Sequence, residues 1–350
     1  MQGKRKMKRI NKARKGYLDI AKAIGIIIVL INHIELQLGG ANRFLGVFFV
    51  SEFFMLSGMT FRIKEGETLK NFAGKKAKRL LLPYVLYSLF YLAWYSLRSV
   101  ASGAFALSDL LKKAAGCLYA RTYLFPARED KVYLMEIMNA PMWFLPALFI
   151  CLVVYYMLNK YLGDKKKWGV LAVFLLSMVS HYAVPILLPW SIDIALAMMP
   201  LLYAGEKLAA TDYITATRKT IWLMPLALLV FILITTINGA GNISIGDYGK
   251  SMLLFLTASF LGTFLCIMFS FFIEKYLHFI EKVLIIIGVN TMDILCQHLF
   301  VFALMQAVCG ILNISADLWL TKLLIIIVGI FIPIAVKKIY KLTFCRDKTT

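Results

Sequence analysis

Charge is scarce in this chain. Asp, Glu, Lys and Arg make up 17% of its 350 residues, against about a quarter in a soluble domain. Acidic residues are scarcer still, 19 against 39 basic ones. The six cysteines are scattered, mostly inside apolar runs, with no CxxC pair and no metal-ligand spacing. That excludes a secreted disulfide scaffold and the zinc arrangements that spacing reveals. GxGxxG in a strand–helix setting, the P-loop, HExxH and GxSxG are all missing. No polar stretch is left to hold a soluble nucleotide-hydrolysing domain, and no repeat of fixed period is present.

What the chain has instead is apolar runs: 61% of it is hydrophobic. Segments such as ITATRKTIWLMPLALLVFILITTI and LTKLLIIIVGIFIPIAVKK match the thickness of a bilayer core. The expected fold is an all-α integral membrane protein, a bundle of about ten transmembrane helices. The spans are expected near 18–37, 43–61, 80–97, 142–160, 168–184, 191–208, 220–238, 250–272, 284–307 and 318–337. The first is read as an uncleaved span rather than a signal peptide.

The net charge of +20 sits mainly between the apolar runs. With the N-terminus inside, roughly three-quarters of the lysines and arginines fall on the cytoplasmic side, as the positive-inside rule requires. Both termini are then cytoplasmic, and nucleic acid is not expected as a partner. This divides the chain into a basic leader 1–16, a membrane domain 17–338 and a basic tail 339–350. The segment 98–141 lies outside. Around 106–119 it has the pattern of an amphipathic interfacial helix.

An ionisable group inside a span is costly and is a functional candidate by default. The first span holds Asp19, Lys22 and His33. Lys22 and His33 are eleven residues apart, almost three whole turns, so they share a face about 16 Å apart along the axis. Snorkelling is the plain alternative for Lys22, and a packing hydrogen bond for His33. Glu52 lies mid-span, with Ser57 and Gly58 offering close helix contact. Lys76 and Arg79 share a helix face before LLLPY. In the ninth span Asn290, Asp293 and Gln297 form a stripe, with His298 beside it. Lysines and arginines on the inner face suit phosphate-bearing ligands. No carboxylates or histidines have the spacing of a metal site.

These segments also form a pattern. Asp19, Lys22 and His33, then Phe53, Phe54, Ser57 and Gly58, then KAKRLLLPY, then Trp143, Phe144 and Leu145, then the stretch ending at Gly205, then Asn290, Thr291 and His298 follow one another from about residue 14 to 305. The order resembles the membrane acyltransferase 3 family, in particular its fucose 4-O-acetylase-like branch. There are departures: Phe49 and Ser51 stand where many members have histidine and proline, Lys22 and Lys76 replace arginine, and Leu295 replaces a tyrosine.

The resemblance implies an O-acetyltransferase of a bacterial cytoplasmic membrane. It would move an acyl group from cytoplasmic acyl-coenzyme A, with acetyl-CoA as donor substrate, to a hydroxyl of a sugar or of a surface or exported glycan. No permanently bound cofactor is implied. Lys22, Lys76 and Arg79 would hold the donor's phosphates. His33 would act as general base or as a transient acyl carrier. Asp19, Glu52, Trp143, Asn290, Asp293 and His298 would support the site or line the acceptor side. The rival reading is a secondary transporter or flippase for a small polar solute, because many spans, buried charges and a basic inner face describe those proteins too.

Overall fold

The computed structural model describes residues 16–125, 133–134, 137–211 and 222–344. The leader's lysines and arginines, Arg128, Glu129, Asp130, Lys131, Glu136, Arg218, Lys219 and the tail from 345 lie outside the described residues. Among the described residues the protein is all helical, with no strand.

The first helix, α1 (Gly16–His33), is apolar nearly all round and buried along most of its length. Such a helix belongs at the centre of a bundle. Around it stand α2 (Ala41–Phe48), α3 (Ser51–Met59), α4 (Leu69–Ala101) and α5 (Leu107–Tyr119). Then come α6 (Phe144–Leu162), α7 (Lys166–Ala183), α8 (Ile192–Ala197) and α9 (Met199–Ala209). The remainder is α10 (Leu223–Asn238), α11 (Met252–Tyr276), α12 (His278–Val289), α13 (Thr291–Ile311) and α14 (Trp319–Phe344). The strongest packing partners of α1 are α11 and α12. Leucines and isoleucines on the outer faces of α4, α7, α10 and α14 are exposed, as lipid contact requires.

Among the described residues, six stretches are long and apolar enough by themselves to cross a membrane: Gly16–His33, Leu69–Ala101, Ala140–Ala183, Met252–Tyr276, Thr291–Ile311 and Trp319–Thr343. The 44 residues of Ala140–Ala183 include both α6 and α7, turned back by a 3-10 turn at Gly163–Lys165. Three of the ten expected spans are not single helices. The second breaks between α2 and α3, and the sixth at Met198, just before Pro200. The third broken span, expected over 284–307, is interrupted at Asn290 and divided between α12 and α13. Asn290 donates its side-chain amide to the Ile286 carbonyl, 2.8 Å away. Asparagine competes with the helix for backbone partners in this way and favours a helix end. The expected amphipathic helix near 106–119 is α5.

The segment after α5 is pinned by Arg121, which is fully buried and 2.8 Å from Asp193. The Tyr119 hydroxyl donates to the Leu187 carbonyl at 2.7 Å. At the opposite end of the bundle, the loop before α4 is tied by Lys75, 2.7 Å from Glu67. That hydrogen bond, helped by the Lys64 backbone amide, holds the Glu67 carboxyl below its usual range. Tyr156 also bonds the Glu67 carbonyl. The loop therefore fixes the start of α4, where Lys76 and Arg79 stand.

Candidate active site

A cavity of about 870 Å3 opens between α1, α3, α4, α6, α11 and α13. Ligand sites typically hold about 300–1,000 Å3. One end is charged and the other is lined by Asn242 and Ser244 of the loop after α10.

At the charged end stand Asp19, Lys22, Lys76, Arg79, Asp293 and Lys337. The Lys22 ammonium is 3.1 Å from the Asp19 carboxylate, the pairing that their spacing suggests. Lys76 lies over the Phe72 ring, 5.2 Å from its centre. Lys337, from α14, donates to Asp293 at 2.6 Å and to the Asn290 side-chain oxygen at 2.9 Å. Helices α1, α4, α13 and α14 each thus contribute at least one charged side chain to one mouth.

His33 is the last residue of α1 and lines the same cavity. Its side chain is exposed because the space beside it is the cavity. Its ring meets that of His298, with centres 5.1 Å apart and planes tilted by 49°. His298 is itself fully buried and does not line the cavity. Trp143 lines the wall, at the end of the 3-10 turn Ala140–Trp143 that leads into α6.

The other expected residues are placed differently. Glu52 is completely buried in α3 and faces Cys266 of α11, whose thiol lies 3.6 Å from one carboxyl oxygen. Its second oxygen has no hydrogen-bond partner among the described residues, and Glu52 does not line the cavity. Asn290 reaches the site only through Lys337. Gln297 leaves the stripe it forms with Asn290 and Asp293 and donates to the Tyr87 hydroxyl at 2.7 Å. In the sequence Lys337 reads only as a positive charge at the end of the last expected span. The signal that would have singled it out is a carboxylate within an apolar run, Asp293, which needs a cation. The loop 240–244 also lines the cavity and is not expected from sequence, and the same holds for Asn32, Glu35, Asn42, Thr122 and Tyr123.

Cations stand at one mouth, His33 lines the wall, and one cavity joins them. The family model described as an acyltransferase domain matches residues 15–338. The chain belongs to the acyltransferase 3 family. It is a multi-pass membrane acyltransferase, and the matched residues take in every residue that lines the cavity. Neither a curated protein nor a solved structure matches this acyltransferase.

Proposed function

We propose that this acyltransferase moves an acetyl or related acyl group from cytoplasmic acyl-coenzyme A to a hydroxyl of a sugar or glycan, in the manner of the fucose 4-O-acetylase-like branch. The observation that carries the proposal is the single cavity that runs from Lys22, Lys76, Arg79 and Lys337 to His33. Coenzyme A brings phosphate charges, and lysine and arginine bind phosphates through charge-assisted hydrogen bonds. Its pantetheine arm is long and thin and suits the rise of about 16 Å between Lys22 and His33. His33 then serves as general base for the acceptor hydroxyl.

The same residues support an orientation. Counting α6 and α7 separately and adding α2–α3, α8–α9 and α10 to the remaining long helices gives ten crossings. An even number puts both basic ends of the chain on one side, with the four cations of the mouth, and the positive-inside rule makes that side cytoplasmic. The loop carrying Asn242 and Ser244 then faces outwards, where a surface or exported glycan would present its hydroxyl. A bacterial cytoplasmic membrane is the setting we propose.

Ligand binding to the folded protein raises its thermal stability, by about 2.7 kcal/mol at a hundredfold excess over Kd. Coenzyme A is therefore expected to protect the purified protein against heat. Lys337→Gln should weaken that affinity by about tenfold, the loss of one hydrogen bond to a charged group. Pantetheine, which has no phosphates, should bind wild type and variant alike. Equal coenzyme A affinity in both proteins would remove Lys337 from the donor site, and no protection at all would remove the donor.

A further inference from the structure

The buried histidine behind His33 has a fixed chemical character. Its Nδ1 lies 3.1 Å from the Ile294 carbonyl oxygen and 3.0 Å from that of Leu295. Carbonyl oxygens only accept, so Nδ1 carries the proton and donates it. The Nε2 of the neutral ring is consequently a bare acceptor. That atom is buried and meets no hydrogen-bond partner among the described residues. Leaving a buried acceptor without a partner is costly, so such an atom asks for an explanation.

Two rings flank His298. Phe302, at 5.6 Å between centres, offers no N–H or O–H. His33, at 5.1 Å, does. Two imidazoles joined edge to edge by an N–H···N bond of about 2.9 Å have centres about 5 Å apart. The separation is thus right for such a bond once the rings turn to meet.

We propose that His298 is a positioning residue for His33: its bare Nε2 accepts the N–H of one His33 ring nitrogen, leaving the other His33 nitrogen bare and turned to the cavity. The inference rests on the general-base role of His33 given above. A neutral imidazole with one nitrogen donating must have the other free to accept a proton. The acceptor's hydroxyl proton goes to that free nitrogen while its oxygen bonds to the thioester carbonyl carbon. When the carbon–sulfur bond breaks, the departing thiolate takes the proton from His33 and leaves as coenzyme A thiol. His298 keeps its own proton throughout. Its hydrogen bond becomes charge-assisted, and stronger, while His33 is an imidazolium. A carboxylate in this place would have to bury a charge inside the membrane; an imidazole does the same orienting work uncharged.

The test uses the full-length protein with His298→Leu, which removes the acceptor atom, and His298→Gln, whose amide oxygen can replace it. Histidine-specific nitrogen-15 NMR reads the tautomers directly. The chain has only four histidines, so single substitutions assign every signal. We expect His298 protonated at Nδ1, with Nε2 bare and hydrogen-bonded to His33. For the leucine variant kcat should fall at least about a hundredfold, with the KM for acetyl-CoA and the thermal protection by coenzyme A unchanged. Glutamine should restore kcat to within about tenfold of wild type. A His298 proton on Nε2, equal loss in both variants, or a leucine variant that also loses coenzyme A protection would overturn the positioning role. Absence of acyl transfer in the wild type would instead overturn the proposed function, while the NMR tautomers still decide whether the two rings are bonded.

Discussion

Replacing His33 by alanine is expected to lower the rate of acyl transfer by about a thousandfold, within the range that a positioned acid–base group supplies. The amount of folded protein in the membrane should not change. His33 is the terminal residue of α1 and opens onto the cavity, so its loss leaves the packed length of that helix intact. The donor's KM should also be nearly unchanged, because the cations at the charged mouth lie well along the helix from His33. Release of coenzyme A thiol from acetyl-CoA, by membranes carrying either protein, measures both quantities. A variant with normal thiol release would make His33 a packing residue.

Gly205→Val is expected to have the second large effect, and on folding rather than chemistry. Helices α3 and α9 touch backbone to backbone. A side-chain carbon on Gly205 would collide with the Met55 carbonyl, and one on Gly58 with the Leu202 carbonyl. The two glycines thus face each other's helix reciprocally, each one turn along its own helix from the carbonyl that the other approaches. Close approach of this kind needs a small residue on each helix. Valine cannot be accommodated by a change of rotamer, since the obstruction is main chain. Destabilisation of about 3 kcal/mol or more follows, enough to lower the yield of folded protein severalfold. Gly58→Val should do the same. Thermal unfolding of the purified variants in detergent checks this, and wild-type melting temperatures would show that the two helices separate without cost.

The parts of the fold that a sequence reveals are those where one physical requirement dominates. Helices α1, α11 and α14 are long apolar runs, and a bilayer asks little else of them. The Lys22–Asp19 pair follows from helical spacing alone. The contact of Gly58 with α9 is legible as a small residue in an apolar setting. The breaks are less legible. Pro200 marks the start of α9 and Asn290 the end of α12, but residues Phe49 and Val50, between α2 and α3, include neither proline nor glycine. Periodicity places residues on one helix and says nothing of neighbours. The stripe Asn290, Asp293 and Gln297 is therefore divided in three dimensions, two of its members serving Lys337 of α14 and the third Tyr87 of α4. For the same reason His298, set beside that stripe by its spacing, meets His33 only when α1 and α13 are brought together.

The most direct test of acyl transfer through His33 is the inventory of O-acyl esters on surface glycans, in cells that carry wild type or His33→Ala at equal membrane levels. Transfer from cytoplasmic acyl-CoA through the cavity predicts an ester present with the wild type and absent with the variant. The same esters in both cells would contradict it.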